Sequence, residues 1–249
     1  MRYALVSDIH ANLPALEAVL ADVDARFPDA AIYHLGDLVG YAPWPNEVVA
    51  LLDRRAVPGV AGNYDSTVGF DHSHCGCRYE NPDQEAASHQ SYDWTRRHVS
   101  AETKRRLAAL PFRIDVGIRG GHAAGPRLIL VHGTPTLNTV YWTEDRPDDF
   151  CRKMAAHAGA RTGDLIAFGH THRPWHRVVD GIHYLNTGSV GRPKDGDPRA
   201  GYALVDASAE QLTVAFIRVD YDLDRAATAI LASELPDRFA EELRRGGAA

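Results

Sequence analysis

At 249 residues the chain is long enough to bury one sizeable core and too short for several domains of ordinary size. Its 45% hydrophobic and 24% charged residues are typical of a globular protein. With 27 basic against 33 acidic residues the formal net charge is −6, so no cationic surface for duplex nucleic acid or anionic lipid is implied. Thirteen His against three Cys and two Met suit a protein that handles borderline metals through nitrogen and oxygen, although a GC-rich genome would give the same surplus. Cys75 and Cys77 flank a single glycine, too close for an easy disulfide, and a reducing compartment is expected. The first residues read as a strand rather than a signal peptide. No apolar run approaches the ~18 residues of a membrane span, so the cytoplasm is the expected setting.

In chain order, residues 3–6 form an apolar strand ending in Ser7-Asp8-Ile9-His10. A helix follows from about Asn12, its cap, with Pro14 in the first turn and Leu13, Leu16, Val19, Leu20 and Val23 on one face. Residues 31–35 are a second strand, ending in Gly36-Asp37-Leu38-Val39-Gly40. A helix over 46–55 leads to a third strand over 57–61, which ends in Gly62-Asn63-Tyr64-Asp65. Strand, polar turn, helix, strand is the grammar of a parallel sheet, whose ligands gather at the carboxyl ends of the strands.

From 66 to 82 that grammar breaks. Asp71-His72-Ser73-His74-Cys75-Gly76-Cys77 has no period and reads as a long loop over the site; residues 83–98 and 101–110 then read as two exposed helices. Residues 66–110 together form a lid-like insertion in a single domain spanning 1–249. Another apolar strand, 127–131, ends in His132-Gly133-Thr134-Pro135. A helix over 148–158 precedes the strand that closes in Phe168-Gly169-His170-Thr171-His172. If the chain stays extended there, the imidazoles at i and i+2 point to one side and enter one cavity, and Gly169 lets the backbone come close to its neighbour. Thereafter the pattern is short alternating strands (175–179, 183–186, 202–206, 212–220), with a hairpin turn at Asp180-Gly181, and helices over 223–233 and 236–245. The whole reads as one α/β (α+β) domain with a second, more antiparallel sheet.

The polar strand ends carry a coherent chemistry. Two divalent ions about 3.5–4 Å apart can clamp a phosphoryl group, and they need a shared carboxylate with nitrogen and oxygen ligands divided between them. Asp8, His10, Asp37, Asn63, His132, His170 and His172 are that inventory. Each alone has an ordinary reading: a turn cap, a left-handed Asn or a core histidine.

Their order removes most of that ambiguity. Asp8-Ile9-His10, Gly36-Asp37-Leu38-Val39-Gly40, Gly62-Asn63-Tyr64-Asp65, Val131-His132-Gly133 and Gly169-His170-Thr171-His172 resemble the five motifs of the calcineurin-like metallophosphoesterases over roughly residues 1–192. The resemblance is nearest to the small bacterial and archaeal phosphodiesterase branch, where a loop like Asn186-Thr187-Gly188-Ser189-Val190-Gly191-Arg192-Pro193 follows the last motif. It implies a four-layer αββα sandwich of two mixed β-sheets flanked by helices. It implies that Asp8, His10 and His172 bind one metal, that Asn63, His132 and His170 bind a second, and that Asp37 bridges both. The ions would be Mn, Fe, Zn, Ni or Co, and a metal-bridging hydroxide would hydrolyse a phosphodiester or activated phosphomonoester.

One departure matters. Where most of the family has a His after the Asn, this chain has Tyr64, a less apt proton shuttle at neutral pH. Tyr64 with Asp65, loop histidines His72 or His74, or a substrate with a good leaving group are the open answers. Asp71, His72, His74, Cys75 and Cys77 could instead hold a structural zinc, or the loop could be a lid with buried thiols. Arg192 and Lys194 are candidate phosphate donors, as is the backbone of Gly188, Ser189 and Val190 as an anion nest. Tyr141, Trp142 and Trp175 could stack a base or aryl group near the mouth, or be simply half-buried. A small phosphoester or nucleotide is the expected partner, with no stable nucleic-acid complex and no membrane. The alternatives are a serine/threonine protein phosphatase-like phosphomonoesterase, a nuclease, and a catalytically silent metal-site scaffold for protein binding.

Overall fold

Successive residues of a strand face opposite ways, and in this chain both faces are apolar, so each sheet must be covered twice. The computed structural model describes residues 1–77, 81–118, 125–207 and 212–247. The first half contains β1 (Arg2–Val6), α1 (Leu13–Arg26), β2 (Ala31–His34), α2 (Pro45–Arg54), α3 (Asn63–Gly69), α4 (Pro82–His98), α5 (Ala101–Ala108), β3 (Ile114–Gly117) and β4 (Arg127–Leu130). The second contains α6 (Asp148–Ala158), β5 (Leu165–Phe168), β6 (Trp175–Val179), β7 (Ile182–Asn186), β8 (Ala200–Asp206), β9 (Thr213–Val219), α7 (Leu223–Leu231) and α8 (Arg238–Arg245).

The strands form two mixed sheets, ordered β2-β1-β8-β9 and β3-β4-β5-β7-β6. Tyr3 and Leu5 of β1, Ala203 and Val205 of β8, Leu128 and Leu130 of β4, and Leu165 and Ala167 of β5 share one core between the sheets. The alternate residues turn outward. Ala4 and Val6 join a core shared with α1, α7 and α8, while Ile129, Ile166 and Phe168 join one shared with Trp142 and α6. The architecture is thus helix, sheet, sheet, helix, the mixed α/β sandwich expected.

Several local readings need correction. The change from parallel to alternating patterning does not divide the sheets: β1 pairs in parallel with β2 and antiparallel with β8, so the chain's two ends share one sheet. Residues 57–61 make only a single bridge, His34 to Gly59, because Pro58 has no N–H to donate. Residues 66–69 are not loop but the end of α3. Its Ser66 and Thr67 hydroxyls donate back to Gly62 O and Asn63 O, so a polar sequence hides a helix. α4 is not simply exposed: it buries Ala87, Ser91, Tyr92, Trp94 and Thr95, and Ser91 Oγ receives the Tyr41 N–H. Trp142 and Trp175 belong to the outer core rather than to any mouth, with Trp142 stacked on Phe168 at 4.5 Å and 6°. Strand β3 had no counterpart in the sequence reading.

The hairpin at Asp180-Gly181 forms as expected, with Val179 opposite Ile182. No helix among the described residues is long and apolar enough to cross a membrane.

Trp142 is 0% exposed and packs on Phe168, Phe150 and Tyr184 just before the His170 turn. Trp142→Ala should therefore cost about 3–5 kcal/mol in urea unfolding. A loss under 1 kcal/mol would mean that this layer does not clamp the end of β5.

Candidate metal centre

The ligand-type residues follow strands or extended runs, and five of the seven have their backbone held in an unusual conformation. Asp8, His10, Asp37, His170 and His172 all have positive φ, between 48° and 65°. For residues with a Cβ this region costs of order 1 kcal/mol or more each, and it persists only when the surroundings over-determine it. The His170–His172 segment is therefore not extended, as the spacing led us to expect. Two left-handed residues flank Thr171 and send the imidazoles to different ligand groups.

The surroundings supply the restraint. Asp8 N donates to Gly36 O, His10 N to Asp37 O, Val190 N to Ser7 O and Gly169 N to His132 O, each at 2.8–3.0 Å, lacing loops of both sheets together. Two glycines are required by close approach. A Cβ on Gly169 would lie 1.9 Å from Ser7 Oγ and 2.3 Å from Asp8 Oδ2, and one on Gly62 would lie 2.1 Å from Asp37 Oδ1.

Asp8 Oδ2 accepts from Ser7 Oγ at 2.6 Å and from His170 N at 3.0 Å. Its Oδ1 is buried with no hydrogen-bond partner among the described residues. Asp37 Oδ1 accepts from Tyr64 N at 2.9 Å, and Asp37 Oδ2 lies 3.7 Å from His10 Nε2 and 3.4 Å from His132 Nε2, between the two groups of histidines. The Nδ1–H of His10 donates to Val39 O, that of His132 to Leu35 O and that of His172 to Arg192 O, at 2.5–3.0 Å. A carbonyl only accepts, so Nδ1 carries the hydrogen and each Nε2 is left to face the carboxylates. The Nε2 atoms of His10 and His172 lie 3.2 Å apart, His172 Nε2 is 3.3 Å from Asp8 Oδ1, and His170 Nε2 has no hydrogen-bond partner among the described residues.

Electrostatics point the same way. Burial drives His10 and His170 down to about 3, reinforced by a neighbouring imidazole, and His172 well below its usual value, reinforced by the charges of Lys194 and Arg192. They are neutral at pH 7, as ligation requires. Burial also raises Asp8. At Asp37 burial works upward, but the charge of His132 and its hydrogen bond overcome it and hold the acid low; the reciprocal pull raises His132 to about 9 against its own burial. That pair calls for one positive charge between its members, a proton or a metal ion.

Two groups emerge, Asp8 with His10 and His172, and Asp37 with His132 and His170, the ligand atoms of each within 4.8 Å of one another. Asn63 Oδ1 lies 3.1 Å from His132 Nε2, and its amide is oriented by Nδ2 donating to Cys75 O and Cys77 Sγ. All seven residues of the inventory converge.

Other candidates fall elsewhere. Asp65 accepts the N–H groups of Leu38 and Gly62, tying the Asp37 loop to the Asn63 turn; burial and the nearby Asp37 push it up to about 7, and it does not line the cleft. His72 and His74 are exposed and do not line the cleft, and His74 Nδ1 accepts from Gly76 N. That loop reaches the cleft through Cys77. Cys75 and Cys77 are paired as a disulfide, their Cα atoms 5.4 Å apart and within the usual span, which corrects both the reduced-thiol and the structural-zinc readings. It also removes these cysteines as evidence for a reducing compartment.

The residues of the expected nest are engaged within the fold: Gly188 N donates to Asn186 Oδ1, while Val190 N donates to Ser7 O and Ser189 Oγ donates to Asp8 O and accepts from Arg192 N, so that Val190 and Ser189 brace the Asp8 loop. Tyr64, Tyr141, Arg192 and Lys194 do line the cleft, and the Tyr141 ring stands 4.3 Å from that of His170. The sequence reading missed Tyr41, Gln84 and Ser88 in the cleft wall. Gln84 and Ser88 are one helical turn apart, a spacing visible in advance, but nothing local says which face of α4 meets the site.

A family model, the calcineurin-like phosphoesterase superfamily domain, matches residues 1–210. An uncharacterised protein of Methanocaldococcus jannaschii is 32% identical, covering 98% of this chain and 97% of that protein. The phosphodiesterase YfcE of Escherichia coli is 26% identical over 83% of this chain and 88% of its own length. The crystal structure of a metallophosphoesterase from Sphaerobacter thermophilus superposes with a TM-score of 0.74 at 32% identity, covering 99% of this chain and 100% of that one.

Gly169→Ala should push the His170 turn off Asp8 and lower Mn²⁺ affinity about 10–100-fold, as changes behind metal ligands do, while the protein still unfolds cooperatively. Unaltered metal binding by calorimetry would show that the tight approach is not needed.

Proposed function

The chain belongs to the calcineurin-like phosphoesterase superfamily and is a phosphoester hydrolase; on that premise we propose that it hydrolyses an activated phosphodiester in a dinuclear metal cleft. Asp8, His10 and His172 would hold one divalent ion, Asn63, His132 and His170 the other, and Asp37 both. The observation that carries this reading is the set of buried atoms lacking a proton or a partner: Asp8 Oδ1, His170 Nε2 and the facing Nε2 atoms of His10 and His172. Lone pairs crowded together in a desolvated site fit a cation and little else. A donor set of imidazole, carboxylate and amide oxygen suits Mn, Fe, Zn, Ni or Co. Bound there, such ions would act as Lewis acids toward the phosphoryl oxygens and supply the nucleophile at neutral pH.

The chain's own side chains supply the rest. Arg192 and Lys194, on the wall beside His172, offer cationic donors to phosphoryl oxygens that the ions leave over. Tyr141, against His170, offers a flat face to an aryl group or base. The histidines lining the cleft are His10, His170 and His172, all ligand-type. The other proton donors in the cleft wall, the phenols of Tyr64, Tyr41 and Tyr141 and the ammonium of Lys194, are poorer acids than imidazolium at neutral pH. The substrate therefore carries a good leaving group, aryl or pyrophosphate-like, as in a small nucleotide diester. The phosphodiesterase among the relatives supports the diester reading.

The test is Mn²⁺-dependent hydrolysis of bis(4-nitrophenyl) phosphate, lost on chelation and restored by metal. Asp37→Asn should lower kcat/KM by more than about 100-fold, since changes one shell further out already cost 10–100-fold. Near-wild-type turnover in that variant, or faster turnover of a phosphopeptide than of the diester, would refute the assignment. His72→Ala and His74→Ala should each stay within about twofold of wild type, whereas removing a general acid costs about 10²–10⁴-fold.

A further inference from the structure

We propose that the C-terminal helix α8 sets the phosphate-binding geometry of the cleft: Glu242 and Phe239 are positioning residues that aim Arg192 at the substrate. The inference rests on the phosphoesterase reading above and deepens it. α8 lies beyond residues 1–210, the stretch that the family model matches.

Arg192 is a cleft residue with only 6% of its surface exposed. Its backbone is pinned to the metal site, since Arg192 O accepts from His172 Nδ1 and Arg192 N donates to Ser189 Oγ. The guanidinium is fixed from the other side. It lies 3.9 Å from the centre of the Tyr41 ring and 5.2 Å from that of Phe239, which meet edge to face at 5.0 Å. Two aromatic rings against a planar cation fix its plane. Rotation within that plane is fixed by one terminal nitrogen, which donates to Glu242 Oε2, while Arg238 holds the other carboxylate oxygen at 3.1 Å.

Every constraint on the guanidinium except Tyr41 thus comes from α8. The helix is itself anchored. Phe239, Ala240 and Leu243 are buried, and the turn after α8 accepts the Gly196 N–H at Gly246 O, two residues beyond Lys194.

One group is left over. Arg192 Nε is buried and has no hydrogen-bond partner among the described residues. Buried N–H groups are nearly always matched, and guanidinium donors match anionic oxygens best. In a cleft wall beside His10 and His172 the fitting acceptor is a non-bridging phosphoryl oxygen. If Glu242 were only a countercharge, its removal would make the cleft more positive and tighten anion binding. If it aims Arg192, removal weakens binding. The two roles differ in sign.

The experiment uses the full-length, Mn²⁺-loaded protein, with inorganic phosphate titrated calorimetrically and bis(4-nitrophenyl) phosphate as substrate. Glu242→Ala should weaken phosphate binding and raise KM about tenfold, with kcat and metal content close to wild type, the scale expected for misplacing one charge-assisted hydrogen bond. Glu242→Gln, whose amide oxygen still accepts, should recover most of the loss, and Phe239→Leu should reproduce part of it. On an Arg192→Ala background Glu242→Ala should cost nothing further, because its effect passes through Arg192.

Unchanged or tighter phosphate binding in Glu242→Ala, or additive losses in the double variant, would overturn the positioning role while wild-type binding left the phosphoesterase reading intact. A metal-loaded wild type that neither binds phosphate nor turns over the diester would overturn both. Should Glu242→Ala unfold early in a thermal scan, Glu242→Gln and Phe239→Leu carry the same comparison.

Discussion

Two carboxylates, Asp8 and Asp37, are buried beside four imidazoles of which three are held neutral, and this is the constraint on which the rest of the structure depends. Desolvated anions are costly unless paired. Here the pairing is incomplete by design of the hydrogen bonds. Backbone carbonyls take the Nδ1–H of His10, His132 and His172, backbone and hydroxyl donors reach one oxygen of Asp8, and what remains facing inward is lone pairs. Such an arrangement is unfavourable in itself and becomes favourable once positive charge occupies its centre. Metal binding and stability are then one quantity, because whatever loosens the ligands also exposes uncompensated charge.

That charge arrangement explains the backbone around it. Five ligand-type residues in the left-handed region would relax to ordinary conformations if each loop stood alone. They cannot, because the loops are tied to one another instead of to solvent. The Asp8 turn takes hydrogen bonds from the Val190 side and gives them to the Gly36 side, and Asp65 bridges the Leu38 and Gly62 amides. These contacts join the end of β1, in one sheet, to loops following β5 and β7 in the other. The site is a seam between two sheets, and the layered core that presses the sheets together is what keeps it strained.

How much of this was legible in the sequence follows from the range of each interaction. The metal-type residues were readable because each sits in a short motif directly after an apolar run, and because seven donors of compatible chemistry recur in order. Apolar runs gave β1, β4 and β5, and alternation gave β8. By contrast, the pairing of β1 with β8 joins residues 2–5 to 203–206, and no local pattern specifies it. The α3 helix was hidden by Ser66 and Thr67 bonding back to their own turn, and β3 by alternation with Asp115 and Gly117, which reads as a loop. Trp142 looked like a mouth residue because nothing local records the Phe168 ring beneath it. His72 and His74 attracted attention as chemistry-bearing residues in a polar loop, yet the same loop turns Cys77 inward and those side chains outward.

The same distinction divides reaction class from substrate choice. The floor of the cleft is built from strand ends, where a few adjacent residues decide which atoms face inward. Its wall is assembled from α4, the loop ending at Cys77, Tyr41 and an arginine whose orientation is governed by a helix some fifty residues further along the chain. Floor residues answer to local motifs and set what kind of bond can be attacked. Wall residues answer to packing between distant segments, so a one-residue shift in the register of α4 or α8 would replace Gln84, Ser88 or Glu242 and leave every metal-type ligand where it is. A cleft built this way can change what it accepts without disturbing the centre that does the chemistry. The route runs through the helices that brace the wall, not through the residues of the floor.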